Sequence, residues 1–141
     1  MNRSVDAALA RWRAKGVPLQ PGICAREVTA LLAEVGRETS RDVLELFEAA
    51  NGMIRDESDD RLFSWWPIEQ CVQECSRFEQ CYVPFADFLI SSHEYCFKRV
   101  SSERSSVFIH CGQANERQIA ATVEEFFYLL LSDPMRLEVA F

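Results

Sequence analysis

The segment LELFEAANGMI, from Leu44 to Ile54, decides how the first half of the chain is organised. It starts as an amphipathic helix, for which Ser40 is a plausible N-cap. The residues on the apolar face of this helix are Val43, Leu44, Phe47 and Ala50. The helix then meets Asn51-Gly52, two residues that tolerate left-handed backbone angles. We therefore predict that the helix ends there and that the chain turns.

Two further helices are predicted before this segment. The first is capped by Ser4 and has Val5, Ala8, Leu9 and Trp12 at helical spacing. A loop rich in glycine and proline follows, from Gly16 to Gly22. The apolar stripe of the next helix consists of Cys24, Val28, Leu31, Leu32 and Val35, and Gly36 can end it. Cys24 is therefore expected in line with core positions.

The chain after Ile54 changes in character. We predict an exposed acidic loop in RDESDDR, from Arg55 to Arg61, and a short strand in RLFSWW. Pro67 can then open a helix. We predict neighbouring antiparallel strands in the segments YVPFADFLI, EYCFKRV and SVFIHCG. A last short strand can form in RQIAA. Thr122 and Glu125 form a capping box for a closing helix. For the C-terminal tail MRLEVAF, the sequence does not decide between a short edge strand and a disordered segment.

This order predicts an α+β fold with a mixed, mostly antiparallel sheet of about four to six strands and helices on one face. We expect a single domain over 1–141, with a core at about 24–132. The helix within residues 1–16 is expected to be an N-terminal extension, and the C-terminal tail to be short.

Composition limits the possible partners. The 141 residues carry a net charge of −7, which argues against direct binding of nucleic acid or an anionic membrane. The charge is compatible with a basic partner, or it serves only to keep the protein soluble. No apolar run approaches the ~20 residues that span a bilayer, and the first residues do not resemble a signal peptide. A cytoplasmic location is therefore expected.

Six cysteines raise the question of metal or thiol chemistry. Cys71 and Cys75 are four residues apart on one predicted helix, a spacing that suits either two metal ligands or two buried side chains. His110 and Cys111 suggest a nucleophile and its base, but adjacent strand residues point to opposite faces. Phosphate-binding and hydrolase motifs are absent. We expect no catalytic residues, no metal and no cofactor.

Trp65 and Trp66 lie next to the acidic loop. On a strand, their side chains point to opposite faces. One ring is then exposed and available to a protein partner, or else both rings are in the core. The predicted partner-binding residues are Asp56, Glu57, Asp59, Asp60, Trp65 and Trp66.

Taken in order, four segments resemble the SMI1/KNR4 family, also called the SUKH superfamily. They are the Asn-Gly helix VLELFEAANGM, the aromatic strand and helix RLFSWWPIEQCVQE, the Pro-Phe-Ala hairpin VPFADFLISSHEYCFKRV and the closing helix QIAATVEEFFYLLL. The resemblance covers roughly residues 24–132 and implies an α+β domain without enzymatic activity. Bacterial members look like immunity proteins that neutralise toxins, often nucleases, while eukaryotic relatives are regulatory or scaffold proteins.

Two functions follow as expectations from this resemblance. The first is a cytoplasmic immunity protein whose acidic surface binds the basic surface of a toxin domain. The alternative is a regulatory or scaffold protein that binds an endogenous partner or a small ligand.

Overall fold

The computed structural model describes residues 3–89, 92–110 and 116–139. The helices are α1 (Arg3–Ala14), α2 (Ala25–Glu34), α3 (Arg41–Ala49), α4 (Ile68–Glu74) and α5 (Val123–Ser132). The strands are β1 (Phe63–Trp65), β2 (Tyr82–Phe88), β3 (His93–Arg99), β4 (Ser105–His110) and β5 (Glu116–Ala120). Single 3₁₀ turns follow α4 (Cys75–Arg77) and α5 (Pro134–Leu137). No helix of the described ranges has the length and apolar character to cross a membrane.

The strands form one sheet in the order β1-β2-β3-β4-β5. Each strand pairs with the next in sequence, and all four pairings are antiparallel. This meander confirms the predicted α+β fold, and the doubtful strand RQIAA is present as β5. Register shifts between Pro84 and Ala86 and between Val107 and Phe108 bend the sheet at two points.

One face of the sheet is covered by α1, α3 and α5. Trp12 of α1 is 2% exposed, and its ring lies 6.1 Å from those of both Phe63 and Trp65. Phe126 and Phe127 of α5 complete this aromatic layer. Because Trp12 lies at its centre, the helix predicted as an N-terminal extension is part of the core.

The opposite face is partly covered by α4 and the turn after it. Trp66 donates its indole N–H to Asp87 of β2, and the ring of Phe78 meets that of His110 edge-on at 5.2 Å. Cys71, Cys75 and Cys96 are buried. The sheet therefore lies between the main helical layer and this smaller cover.

The Asn51-Gly52 pair does more than end a helix. Gly52 has φ +68°, and a Cβ there would lie 2.5 Å from the carbonyl carbon of Trp66 and 2.6 Å from the nitrogen of Pro67. The side-chain oxygen of Asn51 accepts a hydrogen bond from the Ile68 amide (2.8 Å), which caps α4. The amide of Met53 donates to the carbonyl of Trp65 (2.7 Å). This segment therefore joins the end of α3 to both β1 and α4.

Of the three predicted N-cap residues, Thr122 and Ser40 occupy the cap position, but only Thr122 caps its helix through the side chain. The side-chain oxygen of Thr122 accepts from the Glu125 amide (3.0 Å), as in a capping box. Ser40 precedes α3, but its hydroxyl forms hydrogen bonds with the side chains of Asp42 and Ser105. The first amides of α3 instead donate hydrogen bonds to carbonyls of the β3–β4 loop. Ser4 lies within α1, where its hydroxyl donates to Glu124, so its predicted role was wrong.

The C-terminal segment folds back onto the core rather than forming an edge strand. Leu137 and Val139 are buried, and the hydroxyl of Tyr95 donates to the Leu137 carbonyl (2.6 Å). The last two residues of the tail lie outside the described ranges.

Replacing Gly52 with alanine is expected to destabilise the protein by about 3 kcal/mol or more, because the new Cβ collides with backbone and the positive φ is retained. Gly16→Ala is the matched control. Gly16 has φ +76° with nothing within 4 Å of a Cβ, so its cost is only about 1 kcal/mol of backbone strain. Urea unfolding of both variants measures the difference, and equal losses would show that the close approach at Gly52 is unimportant.

Candidate protein-binding surface beside the first strand

The acidic loop between Met53 and β1 contains four of the six predicted contact residues. Asp56 and Glu57 are exposed. Asp56 has φ +70°, a conformation that aspartate tolerates better than most residues. Both carboxylates are therefore displayed to solvent, as predicted.

Asp59 has a structural role instead. It is 8% exposed, and its Oδ1 accepts from the amides of Arg61 (2.8 Å) and Phe63 (3.0 Å). Its Oδ2 accepts from the indole N–H of Trp12 (3.1 Å). Its carboxylate therefore closes the turn before β1 and holds α1, and a contact of Asp59 with a partner stays a prediction.

Asp60, the next residue, is at the surface but already paired. Lys15 donates to it at 2.9 Å, and a guanidinium nitrogen of Arg11 lies at 3.8 Å. The hydrogen bond from Lys15 lowers the pKa of the Asp60 carboxyl. Its charge is therefore partly balanced by α1, which leaves Asp56 and Glu57 as the loop's main contribution to a negative surface.

The two tryptophans do point to opposite faces, but neither is exposed. Trp65 is fully buried, with its ring 5.8 Å from that of Phe47, and Trp66 is 2% exposed. The alternative that one ring is exposed was therefore wrong, and the alternative that both rings lie in the core is confirmed. Cover on both sides of β1 is the reason.

A groove of about 270 Å³ lies beside the loop. Its lining residues are Asp56, Glu57, Ser58, Leu62, Ser64, Trp66, Gln70 and Asp87. Asp87 reaches it because β2 pairs Asp87 with Ser64 of β1. Reasoning from the sequence missed Asp87 and Leu62. A polar residue inside the apolar strand YVPFADF was the available signal for the first, and Leu62 offered none.

Leucine side chains extend this surface. Leu62 is 39% exposed and Leu89 38% exposed, and the Leu89 amide donates to the Leu62 carbonyl (3.1 Å). Both have left-handed backbones, with φ +64° and +54°. Together with Asp56, they account for three of the four non-glycine residues with positive φ in the described ranges. Such strained conformations tend to concentrate at binding sites.

The outer edge of β1 is occupied. The carbonyl of Phe63 accepts from the Asp59 amide, and the carbonyl of Trp65 accepts from that of Met53. A partner strand is therefore blocked from pairing at these groups, and the groove is left to receive side chains.

The cysteines supply no comparable site. Burial raises the pKa of the Cys71, Cys75 and Cys96 thiols, which makes them poor nucleophiles. No group of three metal-ligating side chains occurs within the ranges that the structure describes. Cys24 is exposed, so the prediction that it lines the core was wrong. Cys111 lies outside the described residues.

The chain matches no known family model, and a comparison with curated proteins finds no match either. The relationship to the SMI1/KNR4 family therefore stays a prediction from the ordered sequence motifs.

Asp59→Ala is expected to cost about 3 kcal/mol, because it leaves the buried indole N–H of Trp12 and the Phe63 amide without their acceptor. The neighbouring control Asp60→Ala removes only exposed ion pairs and should cost less than about 1 kcal/mol. Chemical unfolding followed by tryptophan fluorescence compares the two. If the two losses were equal, Asp59 would have no special structural role.

Thiol alkylation is expected to divide the described cysteines into two groups. At about pH 8, iodoacetamide should modify exposed Cys24 and Cys81 quickly, while Cys71, Cys75 and Cys96 react only on unfolding, because burial raises their pKa and limits access. Peptide mass spectrometry against time measures each rate. Fast labelling of Cys71 in the native protein would contradict the inert, buried assignment.

Proposed function

We propose that this protein is a non-enzymatic protein-binding module of the SMI1/KNR4 type, an immunity protein that neutralises a toxin domain with a basic surface. The observation that carries the proposal is the groove beside β1. There, Asp56, Glu57 and Asp87 line the same groove as Leu62, which is 39% exposed. An apolar centre with a charged rim is the usual composition of a protein–protein contact.

Charge supports this choice of partner. The chain carries −7 overall, and no ion pair of Asp56 or Glu57 with another described residue is found. Nuclease toxins need positive surfaces to bind their substrate. An acidic inhibitor is attracted to such a surface at long range, which speeds association.

The surroundings of the groove favour a protein over a small ligand. The groove itself, at about 270 Å³, lies close to the lower end of the ~300–1,000 Å³ of most ligand pockets. Leu89, which is 38% exposed and is not part of the lining, extends the apolar surface of Leu62 beyond the groove. The groove is therefore suited to receive one or two cationic side chains of a larger surface that rests on the leucines.

The test is co-expression with any protein that a neighbouring gene encodes and that carries a toxin-like domain, and then measurement of binding kinetics at low and high salt. The variant Asp56→Asn with Glu57→Gln removes two charges and keeps a residue that tolerates the positive φ at 56. Its matched control is Glu34→Gln with Glu48→Gln, which removes two exposed charges elsewhere.

The wild-type protein should rescue growth. The groove variant should associate about tenfold more slowly at low salt, with a weaker salt dependence, while the control stays within about twofold. Equal effects of both variants would show that only net charge matters. No rescue, together with capture of an endogenous protein, would instead indicate the regulatory or scaffold alternative.

A further inference from the structure

A second groove, separate from the acidic one, is lined mainly by basic and hydroxyl side chains. It measures about 360 Å³ and lies where α2, α3, the end of β3 and the β3–β4 loop meet. Its lining residues are Thr29, Ala33, Arg37, Glu38, Thr39, Ser40, Arg41, Leu44, Arg99 and Ser102. The lining contains three arginines and one glutamate. This local excess of positive charge is unexpected in a chain with a net charge of −7.

Arg37 supplies a fixed positive charge. Its guanidinium donates to the carbonyls of Val35 (3.0 Å), Cys75 (2.7 Å), Phe78 (3.1 Å) and Tyr82 (3.0 Å). These bonds hold the side chain in one position without neutralising it. Among the described residues, no carboxylate forms an ion pair with it.

Arg99 supplies the donors that remain available. Its Nε donates to the Thr39 carbonyl (2.9 Å), which anchors the guanidinium at one point beside the groove. We find no hydrogen bond or ion pair from its two terminal nitrogens to the part of the chain that the structure describes. A guanidinium held in this way presents a fork of N–H groups that matches two oxygens of one anion.

The side chain of Arg41, the third arginine of the groove, forms only weak contacts within the protein. Arg41 is 67% exposed, and its contacts with Glu45 (3.7 Å) and Glu103 (3.5 Å) are long. Thr29, Thr39 and Ser102 also line the groove and are residues whose hydroxyls can donate to an anion. The first α3 amides already donate to loop carbonyls, so the side chains are the donors that remain for a ligand.

We propose that this groove binds a phosphate monoester or a comparable oxyanion, with Arg99 as the bidentate donor and Arg37 and Arg41 as supporting charges. Glu38 also lines the groove and repels any anion, but the lining carries three arginines to one glutamate, and a net positive site attracts a doubly charged oxyanion more strongly than a single carboxylate. The inference is independent of the proposed toxin-binding surface, because it uses none of the same residues.

The test is a titration of the ¹⁵N-labelled protein with inorganic phosphate. Amide chemical shifts are measured at each step, and chloride keeps the ionic strength constant. Shifts that saturate and centre on residues 37–41, Arg99 and Ser102 are expected. Arg99→Gln should weaken binding at least about tenfold. Arg13→Gln removes the same charge from an exposed position on α1 and should leave binding unchanged.

The same spectra report whether each variant is folded. Arg99→Lys is a second variant, which keeps the charge but loses the fork and should also bind more weakly. Glycerol 3-phosphate and a phosphoserine peptide distinguish a free metabolite from a modified protein as the source of the phosphate, and glutarate tests a dicarboxylate. Shifts that chloride reproduces, that fail to saturate, or that persist unchanged in Arg99→Gln would overturn the proposal, as would stronger binding of glutarate than of phosphate.

Discussion

The structure depends on the close approach of the backbone at Gly52 to the backbone at Trp66 and Pro67. A side chain at position 52 would occupy the space that the Trp66 carbonyl fills. Because this space is open, the end of α3 reaches the start of α4, and the amide of Met53 reaches the carbonyl of Trp65. The side chain of Asn51 completes the junction by capping α4. Two adjacent residues thus fix a helix, a strand and a second helix relative to one another.

The direction of the two tryptophans follows from that junction. Trp65 enters the aromatic layer with Trp12, whereas Trp66 turns to the other face and donates to Asp87. Asp59 links α1 to the turn before β1, since its carboxylate accepts hydrogen bonds from the indole N–H of Trp12 and from the amide of Phe63. Buried polar contacts of this kind are strong because their partners have no water to replace them. They position Asp56 and Glu57 at the surface.

The surface that results has two grooves with charges of opposite sign. The acidic groove lies at an edge of the sheet where backbone pairing is already satisfied, and its recognition therefore depends on side chains. The basic groove lies between α2, α3 and the end of β3, and it takes its character from Arg37 and Arg99. A protein with a strongly negative net charge can contain a local positive site when carbonyl groups, rather than carboxylates, hold the arginines.

Local patterns in the amino-acid sequence were sufficient to predict the order of the elements, the apolar stripes, the Thr122 cap and the antiparallel strands, because periodicity and capping depend on neighbouring residues. They also located the acidic loop. Three other features could not be predicted in this way: Asp59 is buried while its neighbour Asp60 is exposed, both tryptophans are buried, and Cys24 is exposed. Each of these outcomes depends on what packs against the residue from far along the chain. Trp12, which donates to Asp59 from 47 positions away, has no signature in the acidic loop itself.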